Sequence, residues 1–60
     1  MSDWLKFNVY GYEPERSGTV FKVVGMKQQT CTEALKEATE AYETMTSSDA
    51  SELRWEVEPT

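Results

Sequence analysis

Histidine is absent from this chain of 60 residues, and cysteine occurs once, as Cys31. Without histidine there is no imidazole to serve as a general base or proton shuttle. A structural zinc site draws on Cys and His, and one cysteine cannot supply it. One cysteine also cannot close an internal disulfide. The bridged scaffolds typical of small extracellular domains are therefore excluded, and a reducing cytoplasmic setting is expected. Cys31 itself is expected as a small core residue near a helix start. Glycine is sparse and scattered, so no glycine-rich loop can cradle a phosphate. No stretch carries the alternating Asp and Asn ligands of a calcium loop. No apolar run approaches the roughly 18 residues of a membrane span. The start, Met1-Ser2-Asp3-Trp4-Leu5-Lys6, lacks the basic and apolar regions of a secretory signal.

Positive charge is also in short supply: 6 Lys and Arg stand against 11 Asp and Glu, for a formal charge of −5. Affinity for nucleic acid comes mainly from Lys and Arg, so direct binding to DNA or RNA is disfavoured. An acidic chain fits either simple solubility or a basic partner. The length allows a single domain, spanning residues 1–60, with a thin core. The aromatic share of 12% argues for a folded chain rather than a disordered one.

What is present is organised by period. Leu5, Phe7 and Val9 alternate with Lys6, Asn8 and Tyr10, so residues 4–12 read as a strand with one buried face. Glu13-Pro14-Glu15-Arg16-Ser17-Gly18 is a polar turn, which makes the next run the second arm of a hairpin. That run, from Thr19 to about Lys27, puts Phe21 and Val23 on the core face and Val20, Lys22, Val24 and Met26 on the other. Gly25 marks a bulge or a close approach of the helix. Thr30 and Glu33 form a capping-box pattern. Beyond them Ala34, Leu35, Ala38, Ala41, Tyr42 and Met45 fall on one helical stripe, which predicts a helix to Met45. Thr46-Ser47-Ser48-Asp49-Ala50 is a polar connection. From Ser51 to Glu58, Leu53, Trp55 and Val57 alternate with Glu52, Arg54, Glu56 and Glu58 in a last strand.

The expected fold is α+β: β-β-α-β, a three-stranded antiparallel sheet of order 2-1-3 with one helix on one face. The expected core is Leu5, Phe7, Val9, Phe21, Val23, Leu35, Ala38, Ala41, Tyr42, Met45, Leu53, Trp55 and Val57. So small a fold can hardly hold a carboxylate dry enough to raise its pKa for hydrolysis. No enzyme activity, catalytic residue, cofactor or metal is therefore expected.

Two surfaces remain as candidates. The helix exterior carries Glu33, Glu37, Glu40 and Glu43 with Lys36. It reads as an acidic stripe for a basic partner, as a mimic of nucleic-acid phosphates, or as an ordinary solvated face. Glu37, Glu40 and Glu43 repel one another at three-residue spacing, which a helix selected only for stability tends to avoid. The open sheet face carries Lys6, Asn8, Tyr10, Tyr12, Val20, Lys22, Val24, Met26, Arg54, Glu56 and Glu58. Tyr, Met and Arg favour interface cores, and equally suit cross-strand packing.

Three segments carry a family resemblance: Phe21-Lys22-Val23, then Thr32-Glu33-Ala34-Leu35-Lys36-Glu37-Ala38 leading to Tyr42, then Val57-Glu58-Pro59. With the strand-strand-helix-strand order, they resemble the small proteins with which short-tailed coliphages inhibit bacterial RNA polymerase. Where that family presents two arginines to the polymerase, this chain has Glu56 and Glu58, and Arg54 stands out of register. The resemblance implies a non-enzymatic, cytoplasmic protein of phage host takeover that acts in the bacterial cell. It would occupy a basic surface on RNA polymerase through Glu33, Glu37, Glu40, Glu43, Glu56 and Glu58, with Tyr10 and Arg54 as anchors. Two alternatives stand beside it. One is an anti-CRISPR or anti-restriction protein that fills a nucleic-acid site. The other is a small homodimeric assembly module.

Overall fold

A computed structural model describes residues 5–15 and 18–60. Strand β1 (Leu5–Tyr12) pairs antiparallel with β2 (Thr19–Gln28) on one side and with β3 (Arg54–Pro59) on the other. The sheet order is β2-β1-β3, with helix α1 (Cys31–Thr46) between β2 and β3 in the chain. This is the α+β arrangement that the periodicities predict. The first two residues of the expected last strand, Ser51 and Glu52, instead belong to a 3-10 turn, Ala50–Glu52, and β3 begins three residues late, at Arg54. Trp4 lies outside the described residues.

The helix start follows from local chemistry. The Thr30 hydroxyl oxygen accepts the Glu33 backbone N–H at 3.1 Å and donates to the Glu33 carboxylate at 3.2 Å. Two polar groups that a bare helix end would leave to water are thus satisfied by each other. At the other end Ser47 takes the left-handed conformation (φ 58°) and donates its N–H to the Glu43 carbonyl at 2.9 Å. That geometry ends the helix and turns the chain back toward the sheet.

Phe7, Val9, Ala34 and Ala38 form the fully buried centre, with Val23, Met26, Leu35, Trp55 and Val57 packed around them. The small Ala34 and Ala38 side chains let α1 approach β1 closely. Two expected core residues are exposed rather than packed inside: Leu5 is 54% exposed and Met45 75%. Leu5 opens β1 and Met45 lies in the last turn of α1, so neither has a second layer above it. Cys31, the first residue of α1, is exposed rather than part of the core. Ala50 is buried although the sequence places it in a polar connection.

Strand β2 carries a bulge. Phe7 faces Met26 and Val9 faces Val23, so two steps along β1 match three along β2. Gly25 absorbs the extra residue with φ 74°, a conformation that costs a side-chain-bearing residue about 1–2 kcal/mol. Its N–H donates to the Asn8 Oδ1 at 3.0 Å. The bulge inverts the facing of everything beyond it. Met26 therefore packs on the core rather than on the open face, and Lys27, opposite Lys6, turns outward.

At the other end of the sheet the core is aromatic. The Phe21, Tyr42 and Trp55 rings meet edge to face, with centroids 5.4, 5.7 and 6.2 Å apart. Such pairs contribute about 0.5–1.5 kcal/mol each beyond the area they bury. The Trp55 indole N–H donates to the Ala50 carbonyl at 2.7 Å and ties β3 to the 3-10 turn.

Candidate functional site

The eight candidate side chains do not share a surface. Glu33, Glu37, Glu40 and Glu43 project from α1, which covers one face of the sheet. Tyr10, Arg54, Glu56 and Glu58 alternate with the core-facing Val9, Gly11, Trp55 and Val57, which places them on the opposite face. No single flat partner can touch both sets.

On the helix side, three of the four glutamates are held by neighbours. Glu33 is fixed in the capping box. Glu37 accepts a hydrogen bond from the Gln28 side-chain amide at the end of β2. Glu43 accepts the Ala50 backbone N–H at 2.8 Å and so anchors the chain where it leaves the helix. Among the described residues, none forms a hydrogen bond to the Glu40 side chain. Through their hydrogen bonds, Glu33, Glu37 and Glu43 lose part of their rotamer freedom. Nearby, Asp49 accepts the Ser51 backbone N–H at 2.9 Å, and this bond holds its carboxyl below the usual 3.8.

A shallow groove of about 430 Å³ opens beside this surface, lined by Glu13, Pro14, Glu15, Val20, Tyr42, Glu52 and Leu53. Its rim adds three more carboxylates to the helix side. Among the described residues, eight acidic side chains (Glu13, Glu15, Glu33, Glu37, Glu40, Glu43, Asp49 and Glu52) face one base there, Lys36. Summed over the described residues, that side has a formal charge of −7.

The open sheet face is different. The Glu58 carboxylate accepts hydrogen bonds from the Asn8 amide and the Tyr10 hydroxyl, both at 3.2 Å. The Arg54 guanidinium lies 5.4 Å from the Tyr12 ring centroid, over its face. Tyr10 and Tyr12 both titrate above the usual 10.0. The larger cause is partial desolvation among their neighbours, and the smaller is the carboxylate beside each, Glu58 and Glu56 respectively. Among the described residues, Lys6, Lys22, Lys27 and Arg54 face Glu56 and Glu58 on this surface, for a formal charge of +2. An acidic chain thus folds with a mildly basic back. The sequence conceals this because net charge carries no position, and because Lys27 reaches the open face only through the Gly25 bulge. A glycine inside a β-branched run is the signal that points there.

Among the described residues no group of three or more His, Cys, Asp or Glu side chains is arranged to hold a metal ion, and no helix is long and apolar enough to cross a membrane. Comparison with protein-family models, curated proteins and solved structures returns no match to this chain.

Proposed function

We propose that this chain is a non-enzymatic binding protein whose helix side occupies a basic surface on a host nucleic-acid enzyme, RNA polymerase in the first instance. The observation that carries the reading is the segregation of charge among the described residues, −7 on the helix side against +2 on the open sheet face. A random scatter of carboxylates would serve solubility equally well. Concentrating them beside α1 creates a field that steers a cationic surface toward one side of the molecule. The hydrogen bonds on Glu33, Glu37 and Glu43 reduce the entropy lost when those side chains meet a partner.

Glu37 and Glu40 stand at the centre of this surface as the contact residues. Glu56, Glu58, Tyr10 and Arg54 fall outside it, because they belong to the other face. The same acidic surface also suits a restriction or CRISPR nuclease whose basic groove normally takes nucleic acid, the second reading of the same site.

The test is transcription by purified bacterial RNA polymerase with increasing amounts of the protein, repeated with a restriction endonuclease and a CRISPR effector. Inhibition that weakens steeply with added salt is expected, and the double variant E37K/E40K is expected to lose it. Inhibition that survives the double variant removes the helix from the mechanism. No effect on any of the three enzymes removes the proposal.

A further inference from the structure

The groove beside the helix side is built from four separated stretches of chain. Glu13, Pro14 and Glu15 follow β1, and Val20 lies at the start of β2. Tyr42 comes from α1, and Glu52 and Leu53 from the 3-10 turn and the residue that caps it. Val20 is left without a partner on β1 by a second irregularity, since Gly11 faces Phe21 and Tyr12 faces Thr19. Pro14, Val20, Leu53 and Tyr42 give the groove an apolar lining, and its volume of about 430 Å³ falls within the range of clefts that hold small ligands.

Tyr42 is the residue that points to a ligand. It is 6% exposed, and its ring is in edge-to-face contact with Phe21 and Trp55. Its carbonyl accepts the Thr46 hydroxyl, but among the described residues its own hydroxyl has no hydrogen-bond partner. A buried tyrosine normally finds one. No polar side-chain atom among the described residues is both sealed from solvent and unpaired. The Tyr42 hydroxyl therefore reaches the surface, and the groove is the opening that Tyr42 lines. A rigidly held group with one donor and two acceptor positions thus stands beside the carboxylates of Glu15 and Glu52. Among the described residues, neither of those carboxylates accepts a hydrogen bond. Glu13, which has an interaction of its own, adds charge to the rim without being needed as an acceptor.

We propose that this groove binds an arginine side chain presented by the partner protein. The apolar lining suits a stem of methylene groups, and the acidic rim with the Tyr42 hydroxyl suits a cationic head. A guanidinium is planar and weakly hydrated and carries five donors in a fixed fork. It can meet Glu15, Glu52 and the Tyr42 Oη together while its faces rest on apolar surface. The ammonium of lysine is a compact, strongly hydrated charge and loses more on leaving water. The source of the arginine rests on the proposed function; the preference for a guanidinium does not.

Amide correlation spectra of the full chain, titrated with N-acetyl-arginine amide at low salt, are the test. Saturable shifts confined to the groove residues are expected, with a dissociation constant in the millimolar range for so small a probe. N-acetyl-lysine amide is expected to bind several-fold more weakly. N-acetyl-citrulline amide, which has the same shape without the charge, is expected not to bind. Tyr42→Phe keeps the ring and is expected to weaken the probe by about 3-fold or more, the effect of one hydrogen bond. The double variant E15Q/E52Q, at two exposed positions, is expected to weaken it by about 5-fold. Both variants are expected to weaken inhibition of the target enzyme in the same proportion. Shifts that never saturate or spread over the whole acidic side overturn the proposal, as does equal binding of citrulline or indifference to both variants. If inhibition is lost in E37K/E40K yet unchanged in Y42F and E15Q/E52Q, the groove is removed and the helix reading stands. Saturable binding of the probe with none of the enzymes inhibited removes the helix reading and keeps the groove as a guanidinium site.

Discussion

Gly11 lies directly beneath the indole of Trp55, its partner across the β1–β3 pair. A methyl group placed on Gly11 would sit 3.0 and 3.1 Å from two ring carbons of Trp55 and 2.9 Å from the Leu53 Cδ1. The missing side chain is what lets Trp55 lie flat on the sheet and reach Phe21 and Tyr42. Gly11→Ala is therefore expected to destabilise the protein by about 1–3 kcal/mol, the range for an overpacked core. A urea titration read by tryptophan fluorescence measures it. An unchanged midpoint would mean that the ring has room to move.

Trp55 also carries the single side-chain hydrogen bond that fastens β3 to the 3-10 turn among the described residues. Trp55→Phe keeps an aromatic ring and removes the donor to the Ala50 carbonyl. The Ala50 carbonyl keeps the Leu53 N–H at 3.1 Å, so the loss is expected at about 0.5–1.5 kcal/mol, the net contribution of one hydrogen bond. Thermal unfolding by circular dichroism measures the shift. If the variant melts with the wild type, water replaces the bond at no cost.

Among the described residues, Ser47 and Gly25 hold left-handed backbone, with opposite consequences. Ser47 (φ 58°) carries a side chain in that conformation, and Gly25 (φ 74°) does not. Ser47→Gly is expected to stabilise by about 1 kcal/mol, and Gly25→Ala to destabilise by a similar amount. No atom lies within 4 Å of a side chain built on Gly25, so the cost there is conformational rather than steric. Urea midpoints of both variants that move in the same direction would contradict this account.

Asp49 sets a dependence on acid. Its folded pKa lies below 3.8 because the carboxylate accepts the Ser51 N–H. A depressed carboxyl pKa stabilises the fold above the unfolded value and loses that contribution as pH falls through the folded value. Asp49→Asn is therefore expected to be less stable than wild type at neutral pH, with the gap closing below pH 3.8. Urea midpoints against pH report it, and a gap that stays constant would refute the linkage.

The tyrosines of the open face act at the other extreme. Tyr10 and Tyr12 ionise above 10.0 in the fold. A raised pKa contributes stability that is complete below the unfolded value and disappears as pH rises through the folded value. The fold is thus expected to weaken in strong alkali. Glu58→Gln removes the charge beside Tyr10 and is expected to lower its titration, while desolvation keeps it above normal. Absorbance of the phenolate in the near ultraviolet follows both.

Much of the fold is legible in the residues themselves, because its determinants are local. Thr30 and Glu33 announce the helix start through a hydrogen-bonded exchange that needs only four residues of chain. The alternation of Phe7 and Val9 with Asn8 and Tyr10 sets which side of β1 is buried. Ends are harder to read. Leu5 and Met45 keep their apolar parity yet stand exposed, since burial depends on whether another element lies above them. Ser51 and Glu52 keep the strand period but form a 3-10 turn, held by Asp49 and by Ala50 buried beneath.

The candidate site follows the same division. The acidic stripe on α1 is a property of helical spacing, and its four glutamates can be named from the chain alone. Their hydrogen bonds cannot, because Gln28 meets Glu37, and Ala50 meets Glu43, only after the chain has folded back.

By itself, then, the sequence determined the order of elements, the buried faces of the regular strands, the helix and its cap, and an excess of negative charge. The tertiary structure decided where that charge lies. One residue of bulge at Gly25 turns Met26 inward and Lys27 outward. A helix laid across one face of the sheet separates Glu33, Glu37, Glu40 and Glu43 from Glu56 and Glu58. Charge is a sum over the chain, whereas a binding surface depends on which charges share a side, and only the packing of α1 on the sheet sets that.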